Sequence, residues 1–364
     1  SLQEFGWRQP IVVDERHVVI VGHTRLRAAQ MLGMQEVPVH VATGLSQKQI
    51  AAYRLADNRT GEEAEWDDAK LSAEMLAINE GSSFDLTLTG FSDEEIAAAL
   101  AGTSEILPGA QLDEAPPLGK EKDARTQPGD VIALGRHRLV CGDSTDALAW
   151  QALLGDARAD AVITDPPYGV DYVGKTKDRL TVSNDHLKET ELTDFLRAAL
   201  ALAHSRQGAA WYVYAPPGPA FHSFATVGVE LGWWRQTLVW VKDVFVLGRS
   251  DYHYRHEACL YGWAPGGSHA FHGGRTQDTV FECARPKVSK EHPTMKPVAL
   301  IERAIRNSTQ PADRIVDCFG GSGTTLLAAE VTGRTAFLIE KSRAYCDVIC
   351  QRWETVTGSP VARE

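Results

Sequence analysis

The stretch "RIVDCFGGSGTTLLAAEVTGRTAFLIEKS", residues 314–342, leaves the chain few architectures to choose from. It reads as an apolar strand, a glycine-rich turn, a short helix and a second apolar strand that ends in an acid. A strand, helix and strand joined this tightly form a crossover, which brings the two strands side by side and parallel. Neither strand alternates apolar with polar residues, so both faces of the sheet must be covered. The same rhythm runs from residue 128 onward through "RLVCGD", "ADAVITD", "LTDFLRAALALAHS", "AAWYVYAP", "QTLVWVKD", "EACLYGW" and "PVALIERAIRNST". It predicts an α/β fold with a doubly wound, mostly parallel sheet over 128–364.

The first third is organised differently. Residues 11–43 alternate "IVVD", "HVVIVG" and "VPVHVA" with a helical "TRLRAAQMLG" that stops at Gly33, which is a small α/β unit. Residues 46–101 read as acidic helices, and 105–127, rich in Pro, Gly and charge without apolar periodicity, as a linker. The expected domains are therefore 1–104, the linker 105–127 and 128–364. Net charge is −11, which by itself speaks against a nucleic-acid partner. Residues 44–126, however, hold 17 acids against 7 bases, while 127–364 hold 27 against 26. The acidity sits in the middle segment, and the C-terminal part stays free to meet a polyanion.

No apolar run approaches the roughly 18 residues of a membrane span, and no basic-then-apolar leader opens the sequence. A cytoplasmic protein without a membrane partner is expected. Six scattered cysteines suggest reduced thiols, with neither a disulfide framework nor a zinc site, so no metal is expected.

Gly320, Gly321 and Gly323 let a backbone turn approach a ligand, and Glu340 follows Gly323 by 17 residues, where a carboxylate can bind the hydroxyls of a ribose. These features point to an adenosine-containing cofactor. A nucleoside-triphosphate loop does not fit, because Thr324 and Thr325 stand where a lysine is needed. A second singular stretch, "ITDPPYG" at 163–169, follows a strand with two prolines. Pro166 and Pro167 cannot extend the sheet and hold Asp165 and Tyr168 on a rigid loop at a strand end.

Together the glycine loop and D-P-P-Y resemble the amino-methylating DNA methyltransferases, which move a methyl group from S-adenosylmethionine to an exocyclic nitrogen of adenine or cytosine. D-P-P-Y precedes the cofactor loop, and "HPTMKP" at 292–297 leads into the helix before that loop. This order, with "LVCGD", "LVWVKD" and "YRHEACLYG", resembles the β group of the family. The resemblance implies a permuted class I methyltransferase fold and a flipped target base stacked on Tyr168. The base's amine would be held by Asp165 and the Pro166 carbonyl, with Pro167 stiffening the loop. It also implies that Asp317, Phe319, Gly320, Gly321, Ser322, Gly323, Thr324 and Asp165 line the cofactor. Glu340 would take the ribose, Asp143 the adenine ring and Lys296 the methionine carboxylate. Plainer roles stay open: Asp143 as a helix cap, Lys296 as a loop cation, Asp317 as a turn cap.

"GHTRLRAAQMLGMQEVPVHV" resembles the ParB-like partition family through Gly22, Arg25, Arg27 and Ala28, but His23 and Thr24 depart from its nucleotide-binding motif. A helix-turn-helix after it is not recognisable. A ParB-like unit joined to a β-group enzyme is similar to solitary or restriction-modification methyltransferases of phages and mobile elements. The expected activity is site-specific methylation of double-stranded DNA, adenine N6 favoured over cytosine N4. The rival reading is a partition or regulatory protein on an inactive methyltransferase scaffold. Lys175, Lys177, Arg179, Arg249, Arg255 and Arg275 are the expected phosphate contacts, and 264–291 the expected recognition insert; a homodimer is left open.

Overall fold

Three short runs of β-branched residues pair around one helix in the N-terminal unit. The computed structural model describes residues 6–46, 48–54, 71, 74–75, 78, 86–91, 96, 111–169, 187–245, 251–286 and 295–363. The chain divides into the units Ser1–Leu100 and Ala101–Glu364. In the first, β1 (Ile11–Val13) pairs antiparallel with β2 (Val19–Val21) and parallel with β3 (Val39–Val41). Helix α1 (His23–Met31) begins after Gly22, whose φ of 95° suits glycine. Arg25 donates to the carbonyls of Gln9 and Pro10, so this arginine ties the helix start to the chain that enters β1.

The second unit carries a ten-stranded sheet. Its strands are β4 (Val131–Leu134), β5 (His137–Cys141), β6 (Ala159–Thr164), β7 (Ser205–Ala215), β8 (Trp234–Val241), β9 (His256–Trp263), β10 (Val280–Glu282), β11 (Arg314–Asp317), β12 (Thr335–Glu340) and β13 (Ala362–Arg363). They lie in the order β10-β8-β9-β7-β6-β11-β12-β5-β4-β13. The central β7, β6, β11, β12 and β5 are parallel, and β9 and β4 run antiparallel at either side. The predicted doubly wound, mostly parallel α/β sheet is therefore present, with antiparallel margins.

Helices cover both faces. On one, α5 (Val298–Ser308), α6 (Thr324–Val331) and α7 (Arg343–Thr357) pack Leu300, Ile301, Leu326 and Trp353 against Leu139, Ile163 and Ile315. On the other, α2 (Ala147–Leu154), α3 (Glu189–Ala201) and α4 (Phe221–Glu230) pack Trp150, Leu196 and Phe224 against Val140, Val162 and Val213. Neighbouring strand residues thus serve opposite faces, as the pleat requires. The order in which successive strands are laid down reverses between the parallel neighbours β6 and β11. β6 leads outward to β7 and β11 outward to β12, which makes their adjacent carboxyl ends the place where an open α/β sheet binds ligands.

Residues 111–127, read from sequence as part of a linker, are held against this unit. Asp113 Oδ1 accepts from Val298 N at 2.8 Å and so caps α5, whose own N-cap, Pro297, offers no side-chain acceptor. Buried Arg352 donates to the Leu112 carbonyl, and Asp347 accepts from the backbone of Arg125 and Thr126. Pro, Gly and charge signalled irregular backbone there; they did not signal a free tether.

Candidate active site

Strand β6 delivers Asp165 to the carboxyl edge of the sheet, and the two prolines after it turn the chain so that Tyr168 lies back over the same edge. Lys296, just before α5, meets both. Its Nζ lies 2.5 Å from Asp165 Oδ2, 3.2 Å from the Tyr168 hydroxyl and 3.1 Å from Glu257 Oε2. The Tyr168 hydroxyl donates to Glu257 Oε2 at 2.8 Å, and Lys242 Nζ reaches Glu257 Oε1 at 2.5 Å. Two carboxylates and two ammonium groups are thus interleaved and balanced. Lys296 lies over the rings of Tyr168 and Tyr214, both at 5.3 Å, which adds cation–π attraction in a dry setting. The Tyr168 ring meets Phe224 edge-on at 6.0 Å.

An ammonium has three protons to donate, and these three contacts commit all of them. The geometry places the Lys296 charge between Asp165 and Glu257. Asp165 Oδ1, by contrast, is shut away from solvent and accepts no hydrogen bond. Burial, seconded by the Glu257 charge, raises the Asp165 carboxyl above its usual range, against the pull of Lys296. Burial also acts to raise Glu257, but Lys296 and Lys242 overcome it and hold that carboxyl down at about 2.

The glycine turn lies beside this cluster, after β11. Asp317 Oδ1 accepts from Thr164 Oγ1 at 2.7 Å and Phe319 N at 3.1 Å, and Oδ2 from Thr325 Oγ1 at 2.6 Å. It therefore caps its own turn and also ties β11 to the end of β6. Gly323 has φ 85°, and a Cβ there would press on Ile349 at 3.2 Å; a Cβ on Gly321 would meet nothing closer than 3.8 Å. The turn is thus packed underneath and open above. Glu340 Oε2 accepts from Gly321 N at 2.7 Å and Oε1 from Ser342 N at 2.8 Å. Burial lifts Glu340 to about 7 despite these bonds. Asp143, beside Glu340 in the neighbouring strand's exit, accepts from Thr145 and pairs with Lys341 at 2.8 Å. The cap of α2 is Asp146, not Asp143. Burial opposes ionisation of Asp143, but Lys341 and Thr145 prevail and hold its carboxyl below the usual range.

Arg352 was invisible as a site residue in the sequence. Its Nη1 donates to the Ser322 carbonyl at 3.0 Å and approaches Ser322 Oγ and Thr324 Oγ1 at 3.4 Å, and Thr324 Oγ1 in turn bonds the Lys296 carbonyl at 3.3 Å. This guanidinium braces the turn from below, and burial draws it down to about 10. Glu257 and Lys242 were missed too. Both lie in stretches that resemble the β group, "YRHEACLYG" and "LVWVKD", but their pairing with Lys296 and Asp165 had no local signal.

The expected DNA contacts are scattered. Lys175, Lys177, Arg179 and Arg249 lie outside the described residues. Arg255 spends its Nε on the Lys242 carbonyl at 2.9 Å, next to the cluster. Arg275 is exposed, in a stretch where His272 N bonds Asn307 at the far end of α5 from Lys296. The insert expected at 264–291 therefore starts at the opposite end of the sheet from Asp165. All six cysteines are free, and five are buried. Among the described residues, no group of three or more His, Cys, Asp or Glu could hold a metal ion, and no helix is long and apolar enough to cross a membrane.

Residues 230–351, which span Lys242, Glu257, Lys296, the glycine turn and Glu340, match the DNA methylase family. The chain carries a DNA methylase domain. Ahead of it, residues 1–59 match the ParB N-terminal domain and 69–128 a ParB-methyltransferase helix-turn-helix domain. The last match supplies the helix-turn-helix that was not recognisable in the sequence, and it runs through the residues read as a linker. The ParB-like nuclease domain-containing protein YnaK of Escherichia coli is 47% identical over 49 residues, 14% of this chain and 56% of that protein. The type II methyltransferase M2.MboI of Moraxella bovis is 38% identical over 71 residues, 20% of this chain and 26% of that protein. The chain thus spans about half of the first relative and a quarter of the second. A solved M1.HpyAVI–SAM complex is similar at 23% identity with a TM-score of 0.45, over 59% of this chain and 98% of that one.

Asp317 allows a direct test of the energetics beneath the glycine turn. It is 4% exposed, and burial, opposed by Thr325, Thr164 and Phe319, raises it to about 6, above the roughly 3.9 of an unfolded aspartate. A carboxyl raised on folding costs stability above its folded value, and the cost fades as pH falls toward the unfolded value. Asparagine fits the same partners once the Thr325 hydroxyl turns to accept. Asp317→Asn is therefore expected to melt above wild type at pH 8, by at most about 3 kcal/mol at 1.4 per unit, with the gap closing between pH 6 and 4. A gap independent of pH in thermal melts would refute this account.

Proposed function

We propose that the protein is a site-specific DNA methyltransferase that uses S-adenosylmethionine and acts on the exocyclic amine of a flipped base, adenine N6 in preference to cytosine N4. The observation that carries this reading is the unspent Asp165 Oδ1 on a proline-stiffened loop, beside a glycine turn that is open above and backed by Glu340. Asp317, Phe319, Gly320, Gly321, Ser322, Gly323 and Thr324 would form the cofactor's cradle. The free lone pairs of Glu340 would take ribose hydroxyls, and Asp143 would lie at the adenine side. When bound, S-adenosylmethionine supplies an activated methyl on sulfonium.

The chain's own residues supply the rest. An exocyclic amine is a poor nucleophile because its lone pair is delocalised into the ring. Asp165 Oδ1 and the Pro166 carbonyl would accept its two N–H bonds, turning the lone pair out of the ring plane. Asp165 Oδ1 is then the acceptor nearest the proton the amine must lose. The Tyr168 ring, fixed by its hydroxyl bond to Glu257, would stack on the base, and roughly 1 to 3 kcal/mol of stacking offsets part of the unstacking cost. The ParB and helix-turn-helix domains support double-stranded DNA as the partner, and Arg255, bonded to the Lys242 carbonyl, lies beside the cluster.

Incubation with methyl-labelled cofactor and duplex DNA, followed by mass spectrometry of the nucleosides, tests the proposal. N6-methyladenine is the expected product. N4-methylcytosine would move the assignment to the other base, and no labelled nucleoside would defeat the reading.

A further inference from the structure

Glu257 is unusual among the charged residues of this unit. It is the first inward-facing residue of β9, an antiparallel strand outside the parallel core, and its side chain is 16% exposed. One of its oxygens, Oε2, takes both the Tyr168 hydroxyl and Lys296, and the other takes Lys242, which is itself 8% exposed and lies over the Trp240 ring at 4.9 Å. Two groups that would touch the base are thus aimed through one carboxylate. Tyr168 is held at its hydroxyl, which fixes the ring, and Asp165 is held at Oδ2 by a lysine that Glu257 shares.

We infer that Glu257, anchored by Lys242, is a positioning residue that sets Asp165 and Tyr168 together, so that Oδ1 faces the target amine while the ring faces the base. The inference rests on the proposed methyl transfer and adds a role for two residues outside the D-P-P-Y loop. Without Lys242, Glu257 would draw Lys296 fully to itself and release Asp165 Oδ2. Without the Glu257 charge, Lys296 would collapse onto Asp165, and the Tyr168 hydroxyl would lose its acceptor. Lys242 and Glu257 join β8 to β9 at the rung where Trp240 pairs with Glu257, so the pair is built into the sheet rather than into a loop.

The charge arrangement separates positioning from packing. Asp165 faces Lys296 before α5, Glu257 and Cys259 on β9, Tyr214 on β7, Tyr168 on its own loop and Asp317 on β11. Removing the negative charge of Glu257 makes ionisation of Asp165 easier; removing the positive charge of Lys242 makes it harder.

The test is kcat against pH for wild type, Glu257→Gln and Lys242→Gln, with cofactor affinity by calorimetry and a thermal melt for each. A fall in kcat of roughly ten- to a hundredfold is expected in both variants, with cofactor affinity close to wild type. The acid limb should move to lower pH in Glu257→Gln and to higher pH in Lys242→Gln. If Glu257→Gln does not fold, the sign of the shift in Lys242→Gln decides alone. An unchanged kcat, or lower activity with unmoved acid limbs, would overturn the inference. Failure of the wild type itself to transfer methyl groups would instead strike the proposed function, which keeps the two failures apart.

Discussion

Replacing Asp165 with alanine is expected to lower methyl transfer by at least roughly a hundred- to a thousandfold, the scale set by deleting one preorganised group from a water-excluded site, while S-adenosylmethionine binding stays nearly unchanged. The two effects separate because Asp165 Oδ1 has no partner in the protein, whereas the glycine turn is organised by Asp317, Glu340 and Arg352. Asp165→Asn is the sharper variant. It keeps volume and shape, but only its carbonyl oxygen can accept from Lys296. The amide NH2 must then point where Oδ1 points, setting a donor against the amine's own protons. Asparagine is therefore expected to be as inactive as alanine. Tritium transfer from labelled cofactor to DNA, with calorimetry of cofactor binding, measures both quantities. Substantial turnover by Asp165→Asn would mean that packing, and not an acceptor, is what the loop provides.

The sequence carried the fold because each clue was local. Apolar runs without alternation could only be strands covered on both faces, and Gly323 before the helix at Thr324 could only be a turn with positive φ. D-P-P-Y was legible for the same reason, since two prolines end a strand wherever they stand. Lys296 was legible only through the family resemblance, and its contacts in the fold were not. The resemblance implies a cofactor contact for it, and nothing local says that Glu257, 39 positions earlier in sequence, lies 3.1 Å from its Nζ. Glu257, Lys242 and Arg352 act only through such long-range contacts. An arginine at 352 looks like any helix surface residue until α7 is docked and its guanidinium is found under Ser322. The attachment of the irregular run at 111–127 was not legible for the same reason, because composition reports backbone regularity and not attachment.

That attachment sets the result expected from shortening the chain. Removing residues 1–104 takes away the whole first unit, Ser1–Leu100, and none of the residues of the site. The remaining chain is expected to keep its melting temperature and some methyl transfer, with the loss falling on DNA affinity. Removing residues 1–117 differs by 13 positions and takes Leu112 and Asp113 with it. Val298 N then loses its cap, typically worth about 1 kcal/mol. Arg352, 2% exposed, loses the carbonyl that accepts from its Nη2, and a buried charged donor left unpaired costs about 1–3 kcal/mol or more. Set against a typical total of about 5–15 kcal/mol, that is a large fraction, and it falls on the brace of the glycine turn and on the first turn after Lys296. The 1–117 deletion is accordingly expected to melt well below the 1–104 deletion and to lose cofactor binding before it loses helix content. Thermal melts and calorimetry on the two deletions, side by side, check this. Equal melting temperatures and equal cofactor affinity would show that the segment at 111–113 only lies against the domain, and that Arg352 finds its partners without it.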